Sequence, residues 1–548
     1  MIKIDNNAFY LTAGDSCCSF KSDENGKITS IYFGKRIEAE DDIESLGITT
    51  FAPQSNFVLT AAEVADDKQF ADIPMLGGSK TLVLSFADNK AKLRKKVFVT
   101  PYPRGGFAVR TEVYNDGKKP ISLGSAIRIA SFGADFETLV LSEEKGAVRK
   151  SVGTIKSPVK CGNFVAALSP DCTESHGYAF GFLCAYGNGE LEYAKNGDTI
   201  DIVCSDGGDV TVGGGESYCL PETLAVFSEN GLGGITRAFH DILREFMCVR
   251  AERRPIVLFC TDVKDKIAER VAAASELGCD TFAVCADKTD DDLLASVSEA
   301  CKAVGIKFGV KFCPNTAVAD NDGVRQYVAE LERKISMHGA EYVLIDLPHV
   351  GVKKYARAVF ALRNTVTEKR PETLIEWGAV PDDKRYTHAM CYPVCSMRAI
   401  VDTDDVDLKT KFDSATFGAL AYECDPLKLD GDKKRAIRAQ IFSYQDDCRI
   451  TLGGDLYRPE KADGKSVIAV SKDKSKAYAV VVSEKPSPRI WFAGLDEHNL
   501  YNVRELGKTF SGAALMYCGI VIPSHHTTDR QGKPVSYALH LRQVADYE

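Results

Sequence analysis

The chain has 548 residues, 45% of them hydrophobic and 26% charged, with a formal net charge of −9. That length is too great for one core and predicts two to four domains, and the ordinary apolar-to-charged balance excludes a disordered chain. The negative charge is spread along the chain and no basic stripe marks a nucleic-acid face, so nucleic acid is excluded as a partner.

The first residues, Met1-Ile2-Lys3-Ile4-Asp5-Asn6-Asn7, lack the apolar run of a secretory signal. No segment approaches the ~20 apolar residues that span a bilayer, which excludes a helical membrane anchor. The 18 Cys are scattered, mostly inside apolar runs, as at Cys260, Cys285 and Cys313. They read as reduced thiols acting as small core hydrophobes, and no paired Cys and His spacing marks a metal site. A cytoplasmic location is expected.

In chain order, residues 1–232 read as an antiparallel β-sandwich. Short runs such as Thr81-Leu82-Val83-Leu84-Ser85-Phe86 and Lys96-Val97-Phe98-Val99-Thr100 alternate with turns such as Asn115-Asp116-Gly117. Residues 233–254 read as a helical linker, with Ile235, Phe239, Ile242, Leu243 and Phe246 at helical spacing. Pro255 opens a new regime of alternating strands and helices, 255–460. Strands are expected at Ile256-Val257-Leu258-Phe259, at 281–285 and 307–312, and then near 342, 373, 398, 418 and 450. Parallel strands need helical crossovers, so eight alternations predict a (β/α)₈ barrel. From 461 to 548 short strands return, as at Ala477-Tyr478-Ala479-Val480-Val481-Val482, and a small C-terminal β-sandwich is expected. The predicted fold class is therefore multidomain, a central TIM barrel between two all-β parts.

Two of the buried strands end in acids. Tyr342-Val343-Leu344-Ile345 runs into Asp346, and Ala399-Ile400-Val401 runs into Asp402, Asp404 and Asp405. Barrel sites lie at the C-terminal ends of the strands, so both acids can be aimed at one cavity. Paired carboxylates suit glycosidic bond cleavage, one attacking the anomeric carbon and one protonating the leaving oxygen, about 5–5.5 Å apart in the retaining arrangement. Glu376 closes the strand between them, and Trp377 follows as one of only two Trp in the chain. Sugar rings stack on aromatic faces while their hydroxyls need polar partners. Strand-end Asp residues also serve as turn residues or helix caps, and Trp377 could equally pack at a barrel rim.

At these residues the chain resembles the α-galactosidases of glycoside hydrolase family 36 and their family 27 cousins. Gly305-Ile306-Lys307-Phe308-Gly309-Val310-Lys311-Phe312-Cys313-Pro314 is similar to the family's GLKFGLWFEPE strand, and Tyr342 to Asp346 to its nucleophile strand. Ile375-Glu376-Trp377 is similar to the family 27 CEW motif. Arg398 to Asp405 is similar to RNFADIDD. Gly453 to Arg458 and Phe510 to Met516 resemble two later motifs, in the same order. The resemblance implies Asp346 as nucleophile and Asp402 as acid/base. It implies Glu376 on the sugar 2-hydroxyl, Arg398 orienting the acid/base region and Asp405 holding the turn after it. It implies an oligosaccharide or small α-glycoside substrate and no metal or organic cofactor. Family members often self-associate, which leaves a homo-oligomer open.

The departures fall on the sugar-reading shell. Of the family's two adjacent Asp after strand two only Asp287 remains, in Val284-Cys285-Ala286-Asp287-Lys288. The Lys two residues before the nucleophile is Leu344, the Glu after strand three is Cys313, and the Trp before it is Lys311. The Asn-Arg after the nucleophile is Pro348-His349. Lys311, Asp287, Lys288 and His349 are candidate replacements, and each could equally be a solvated rim charge.

Two other functions fit parts of the text. Asp402-Thr403-Asp404-Asp405-Val406 after an apolar run also matches the signature of magnesium-dependent haloacid dehalogenase-like phosphatases, which normally opens a doubly wound domain. A non-catalytic carbohydrate binder descended from a glycosidase would account for the altered shell. Among the remaining polar clusters, Asp290-Asp291-Asp292 is expected to cap a helix, Asp446-Asp447 to lie at a helix end or loop, and His525-His526 in a surface turn.

Overall fold

The computed structural model describes residues 1–38, 57–66, 79–122, 126–133, 135–142, 146–151, 159–184, 190–205, 211–246, 248, 251, 253–313, 321–346, 366, 369–378, 380, 382–403, 408–461, 463–483, 485–527 and 535–544. They form two compact units, Met1–Met247 and Cys248–Glu548.

Among the described residues the first unit is all-β apart from one helix. Its largest sheet, of ten antiparallel strands, runs from Gly146–Ser151 at one edge through Phe164–Leu168, Thr223–Ser228 and Gly106–Asn115 to Val58–Ala65 at the other. Two four-stranded sheets accompany it, and the shared core is rich in aromatics such as Phe33, Phe107, Phe132 and Phe182. The helix Gly231–Phe246 is the stretch expected as a linker. It packs on the sheet of this unit, against Ala179–Cys184 and Thr223–Ser228, and buries Ile235, Phe239, Ile242 and Leu243. Close approach needs glycine beneath it: a Cβ on Gly181 would lie 2.6 Å from the Phe239 ring.

The second unit carries seven parallel strands among the described residues. They are β1 (Val257–Cys260), β2 (Thr281–Cys285), β3 (Lys307–Phe312), β4 (Tyr342–Ile345), β5 (Leu374–Trp377), β6 (Arg398–Asp402) and β7 (Ala419–Glu423). Their order is β5-β4-β3-β2-β1-β7-β6, so β1 pairs directly with β7. The strands are the apolar runs read from sequence, buried on both faces because helices cover one side and the barrel interior fills the other. The helix Asp291–Val304 between β2 and β3 starts at Asp290, whose side chain accepts from the Leu293 N–H, as expected of a cap.

Two expectations are corrected here. The strand expected near 450 is the last turn of a helix, Gly431–Gly453, capped by Asp430. Asp446 and Asp447 lie within that helix, not at its end. Ile450-Thr451-Leu452 is a β-favouring triplet, but the helix's burial of Ile437, Ile441, Tyr444, Cys448 and Leu452 outweighs local preference. After Gly454 the chain enters a six-stranded antiparallel sheet, Asp455–Tyr457, Lys465–Val470, Lys476–Val482, Tyr537–Gln543, Leu500–Val503 and Lys508–Ser511 in spatial order. His525 and His526 sit in a short helix, Ser524–Thr527.

Candidate active site at the C-terminal mouth of the parallel strands

Side chains alternate across a strand, so one inward residue fixes the rest. Leu258, Phe282, Val310, Val343, Val401 and Leu420 pack outward in the main core. Phe259, Ala283, Tyr342, Leu344, Leu374 and Ala421 form a separate inner cluster, with Ile400 packed against it. Contacts between distant strands confirm the inner face: the Phe259 ring of β1 lies 6.2 Å from Tyr342 of β4. Continued to the strand ends, the alternation places Cys285, Lys311, Asp346, Asp402 and Glu423 inward at one mouth.

Lys311 is the centre of that layer. Its Nζ lies 3.2 Å from Asp346 Oδ2 and 3.9 Å from Glu423 Oε2, and 5.7 Å from the centre of the Phe259 ring below. The Lys311 side chain is only 10% exposed, against 34% for Asp346 and 36% for Glu423, so a near-buried cation stands beneath two accessible carboxylates. Burial pulls the Lys311 ammonium down, but Glu423 and Asp346 outweigh it and the net shift is upward. The ammonium therefore persists across the physiological range. Because one ammonium lies within 4 Å of both acids, Asp346 and Glu423 stand together at one mouth.

The strand ends are tied by their neighbours. The Asp346 N–H donates to Phe312 O at 2.8 Å, extending the β3–β4 ladder by one residue. Asp402 ends β6 opposite Glu423 in the β6–β7 register, and Lys433 Nζ holds the next carbonyl, Thr403 O, at 2.7 Å. Asp287 Oδ2 accepts from the Cys313 N–H at 2.6 Å, tying the turn after β2 to the end of β3. One of its oxygens is thereby engaged with protein. Cys285 and Cys313 hydrogen-bond to each other beside it. That bond pulls the Cys285 thiol below its usual range, against burial and with help from the Asp287 and Lys288 N–H groups. The same bond pushes Cys313 up.

Glu376 and Arg398 are brought together, but away from the mouth. Arg398 Nε donates to Glu376 Oε2 at 2.7 Å and Nη2 to Oε1 at 2.9 Å. Tyr342 OH donates to Oε2 at 2.8 Å, and Arg254 Nη1 lies 3.5 Å from Oε1. Four contacts use up the carboxylate's acceptor sites. Burial drives Glu376 up, yet Arg398 and Arg254 reverse it and hold the carboxyl below its usual range. Arg398 Nη1 also binds Pro255 O, Ala419 O and Leu420 O. The pair spans β5 and β6, which share no ladder among the described residues, with only Val380 N to Arg398 O at 3.0 Å beside it. This arrangement corrects the expectation that Glu376 meets a sugar hydroxyl and that Arg398 orients the acid/base region. Both close the seam of the barrel.

Trp377 ends β5, and its side chain, like Asp404, Asp405, Pro348 and His349, lies outside the described residues. Glu423 went unnoticed in the sequence. Its run, Ala419-Leu420-Ala421-Tyr422-Glu423, carries the same signal that marked Asp346 and Asp402, an apolar strand ending in an acid. Among the described residues, no group of three or more His, Cys, Asp or Glu is arranged to hold a metal ion.

Residues 465–541 match the glycosyl hydrolase family 36 C-terminal domain. Over most of the chain, α-galactosidase Mel36A of Lactobacillus acidophilus is 21% identical across 582 aligned positions, covering 81% of this chain and 80% of that protein. The chain is similar to family 36 glycoside hydrolases over most of its length. The fold agrees with solved family 36 structures. The Lactobacillus brevis α-galactosidase superposes with a TM-score of 0.85 at 16% identity, covering 100% of both chains. AgaA from Geobacillus stearothermophilus superposes with a TM-score of 0.83 at 17% identity, covering 98% of this chain and 100% of that one. One family 36 departure now has a structural explanation. Leu344 stands where the family has Lys, and its register partner across the β3–β4 ladder is Lys311. A cation one strand sideways from Leu344, on Lys311, reaches Asp346. The phosphatase reading of 402–406 is set aside, because Asp402 ends a barrel strand in a family 36 fold.

Proposed function

We propose that this protein is a retaining hydrolase of α-linked glycosides, α-galactosidase-like, with a rewritten sugar-reading shell. The observation that carries the reading is Asp346 at the strand mouth, held against the buried Lys311 ammonium. Its relatives are α-galactosidases, and variants of AgaA were solved with raffinose and with stachyose, so an α-linked oligosaccharide is the substrate class.

In this mechanism an Asp346 carboxylate oxygen attacks the anomeric carbon, and the glycosidic C–O bond breaks. Asp402 gives its proton to the departing oxygen. Asp402 then takes a proton from water, the water oxygen attacks the same carbon, and Asp346 is released, with net retention. Lys311 lies beside the nucleophile in both steps, and Asp287 borders the sugar. The mechanism requires no metal or organic cofactor. The cytoplasm is the proposed location, supported by eighteen cysteines that are all free thiols.

The test is turnover of aryl α-glycosides, with product stereochemistry followed by proton NMR. Retention, and a loss of roughly 10³-fold or more in kcat for Asp346→Asn and Asp402→Asn, is the expected result. Inversion of configuration overturns double displacement. Sugar binding without turnover in the wild type makes the protein a carbohydrate binder instead.

A further inference from the structure

The hollow contains an acid that the double-displacement reading does not use. Glu423 points inward from β7 between Asp402, its partner in β6, and Phe259, its partner in β1. Its ion-pair partner among the described residues is Lys311, whose Nζ lies 3.9 Å from Oε2, beyond hydrogen-bonding distance. The Glu423 carboxylate is thus a partly exposed acceptor, fixed at its base by two ladders and with no hydrogen-bond donor among the described residues. Lys311, engaged with Asp346 at 3.2 Å, has further N–H donors. On the other side of the mouth, Asp287, the remnant of the acidic pair that reads sugar hydroxyls, spends one oxygen on the Cys313 N–H. Hydroxyl-reading capacity has been lost beside β2, and an unused acceptor with an adjacent donor is present between β3 and β7.

We propose that Glu423 and Lys311 together read one ring hydroxyl of the sugar bound at Asp346, Glu423 accepting its O–H and Lys311 donating to its oxygen. This rests on the glycoside-binding reading of the same hollow, and it makes Glu423 a specificity-determining residue. A hydroxyl held this way forms two charge-assisted hydrogen bonds, and a sugar lacking it leaves both charged groups unpaired. Discrimination therefore concentrates on a single ring position.

The test uses the full chain, wild type and Glu423→Ala, with the four monodeoxy methyl α-galactosides and the parent glycoside. Binding is measured by titration calorimetry and turnover by product release, with a melting curve for each variant. In the wild type one deoxy sugar is expected to bind roughly 10²-fold more weakly than the parent. In Glu423→Ala the parent itself is weakened by about that factor, and the penalty at that one position collapses while those at other positions persist. A purely structural role for Glu423 would scale all five ligands together. Penalties that are unchanged in Glu423→Ala, or no glycoside binding at all, overturn the inference. Binding without turnover overturns the hydrolase reading alone, because the pattern of penalties is read from binding.

Discussion

Lys311 Nζ lies 3.2 Å from Asp346 Oδ2, on the ladder rung where Leu344 faces it. An ammonium bound to the Asp346 carboxylate fixes the orientation of the proposed nucleophile, and misplacing a reacting group by about 1 Å can cost about 10²-fold in rate. Lys311→Met should lower kcat/KM by that factor without changing the circular dichroism spectrum. Exchanging the rung, Lys311→Leu with Leu344→Lys, should recover part of the loss. Equal activity of the single and double variants would show that the position of the charge, not its presence, is what counts.

Glu376 should matter for stability and not for affinity. Glu376→Gln leaves the Arg398 guanidinium buried with a neutral partner, and breaking such a pair typically costs about 3–5 kcal/mol. Chemical denaturation should show that loss. The KM of the folded variant should stay within about two-fold of wild type, because a side chain with saturated acceptors has none to offer a ligand. A KM raised ten-fold with unchanged stability would return Glu376 to the binding site.

His540 predicts a pH dependence of stability. Its Nε2 lies 2.9 Å from Asp447 Oδ2 and its Nδ1 2.6 Å from Glu505 Oε1, with Arg504 Nη2 2.7 Å from the same Nδ1. Burial lowers its pKa, but the bonds to Asp447 and Glu505 win and raise it to about 9 from the ordinary 6.5. A raised folded pKa means the stabilisation is fully present below the unfolded value and is lost as pH climbs through the folded one. Stability should fall by on the order of 2 kcal/mol between pH 6.5 and pH 9.5, the Arg504 charge offsetting part of the gain. His540→Gln should flatten that part of the curve in urea titrations at each pH.

Gly181 predicts a packing defect in the first unit. A methyl group there would meet the Phe239 ring at 2.6 Å, so Gly181→Ala must push the helix Gly231–Phe246 off its sheet. Overpacking of this kind costs about 1–3 kcal/mol. Differential scanning calorimetry should register a larger lowering for Gly181→Ala than for Gly431→Ala, where an added Cβ meets its nearest atom, Arg435 Nη1, at an ordinary 3.4 Å.

The parallel strands and the acids at Asp346 and Asp402 could be read from the chain because both signals are local. A run buried on both faces is continuously apolar, and the residue that ends it is visible by type alone. Glu376 reads as a mouth residue by the same strand-end signal and Arg398 only by family resemblance, yet their position depends on which strands lack a ladder, and no local pattern encodes that. The missed Glu423 obeyed the strand-end rule but lacked a neighbouring motif to draw attention. The expected eighth strand failed because three β-favouring residues were read without the helical spacing that begins at Ile437. Lys311 stands out in the sequence as a departure, but its pairing with Leu344 and its reach to Asp346 exist only through the register of two strands.

The outer core of the barrel does not stop where the antiparallel sheet begins. Leu456, Ala469, Tyr478 and Val480 pack in one cluster with Ile437, Tyr444 and the outward residues of the parallel strands. A chain cut near residue 460 would therefore leave the helix Gly431–Gly453 with a bare greasy flank, and such a fragment should aggregate instead of surviving as a minimal catalyst. Anyone trimming this protein for expression should cut elsewhere and treat the last ninety or so residues as an integral wall of the hydrolase.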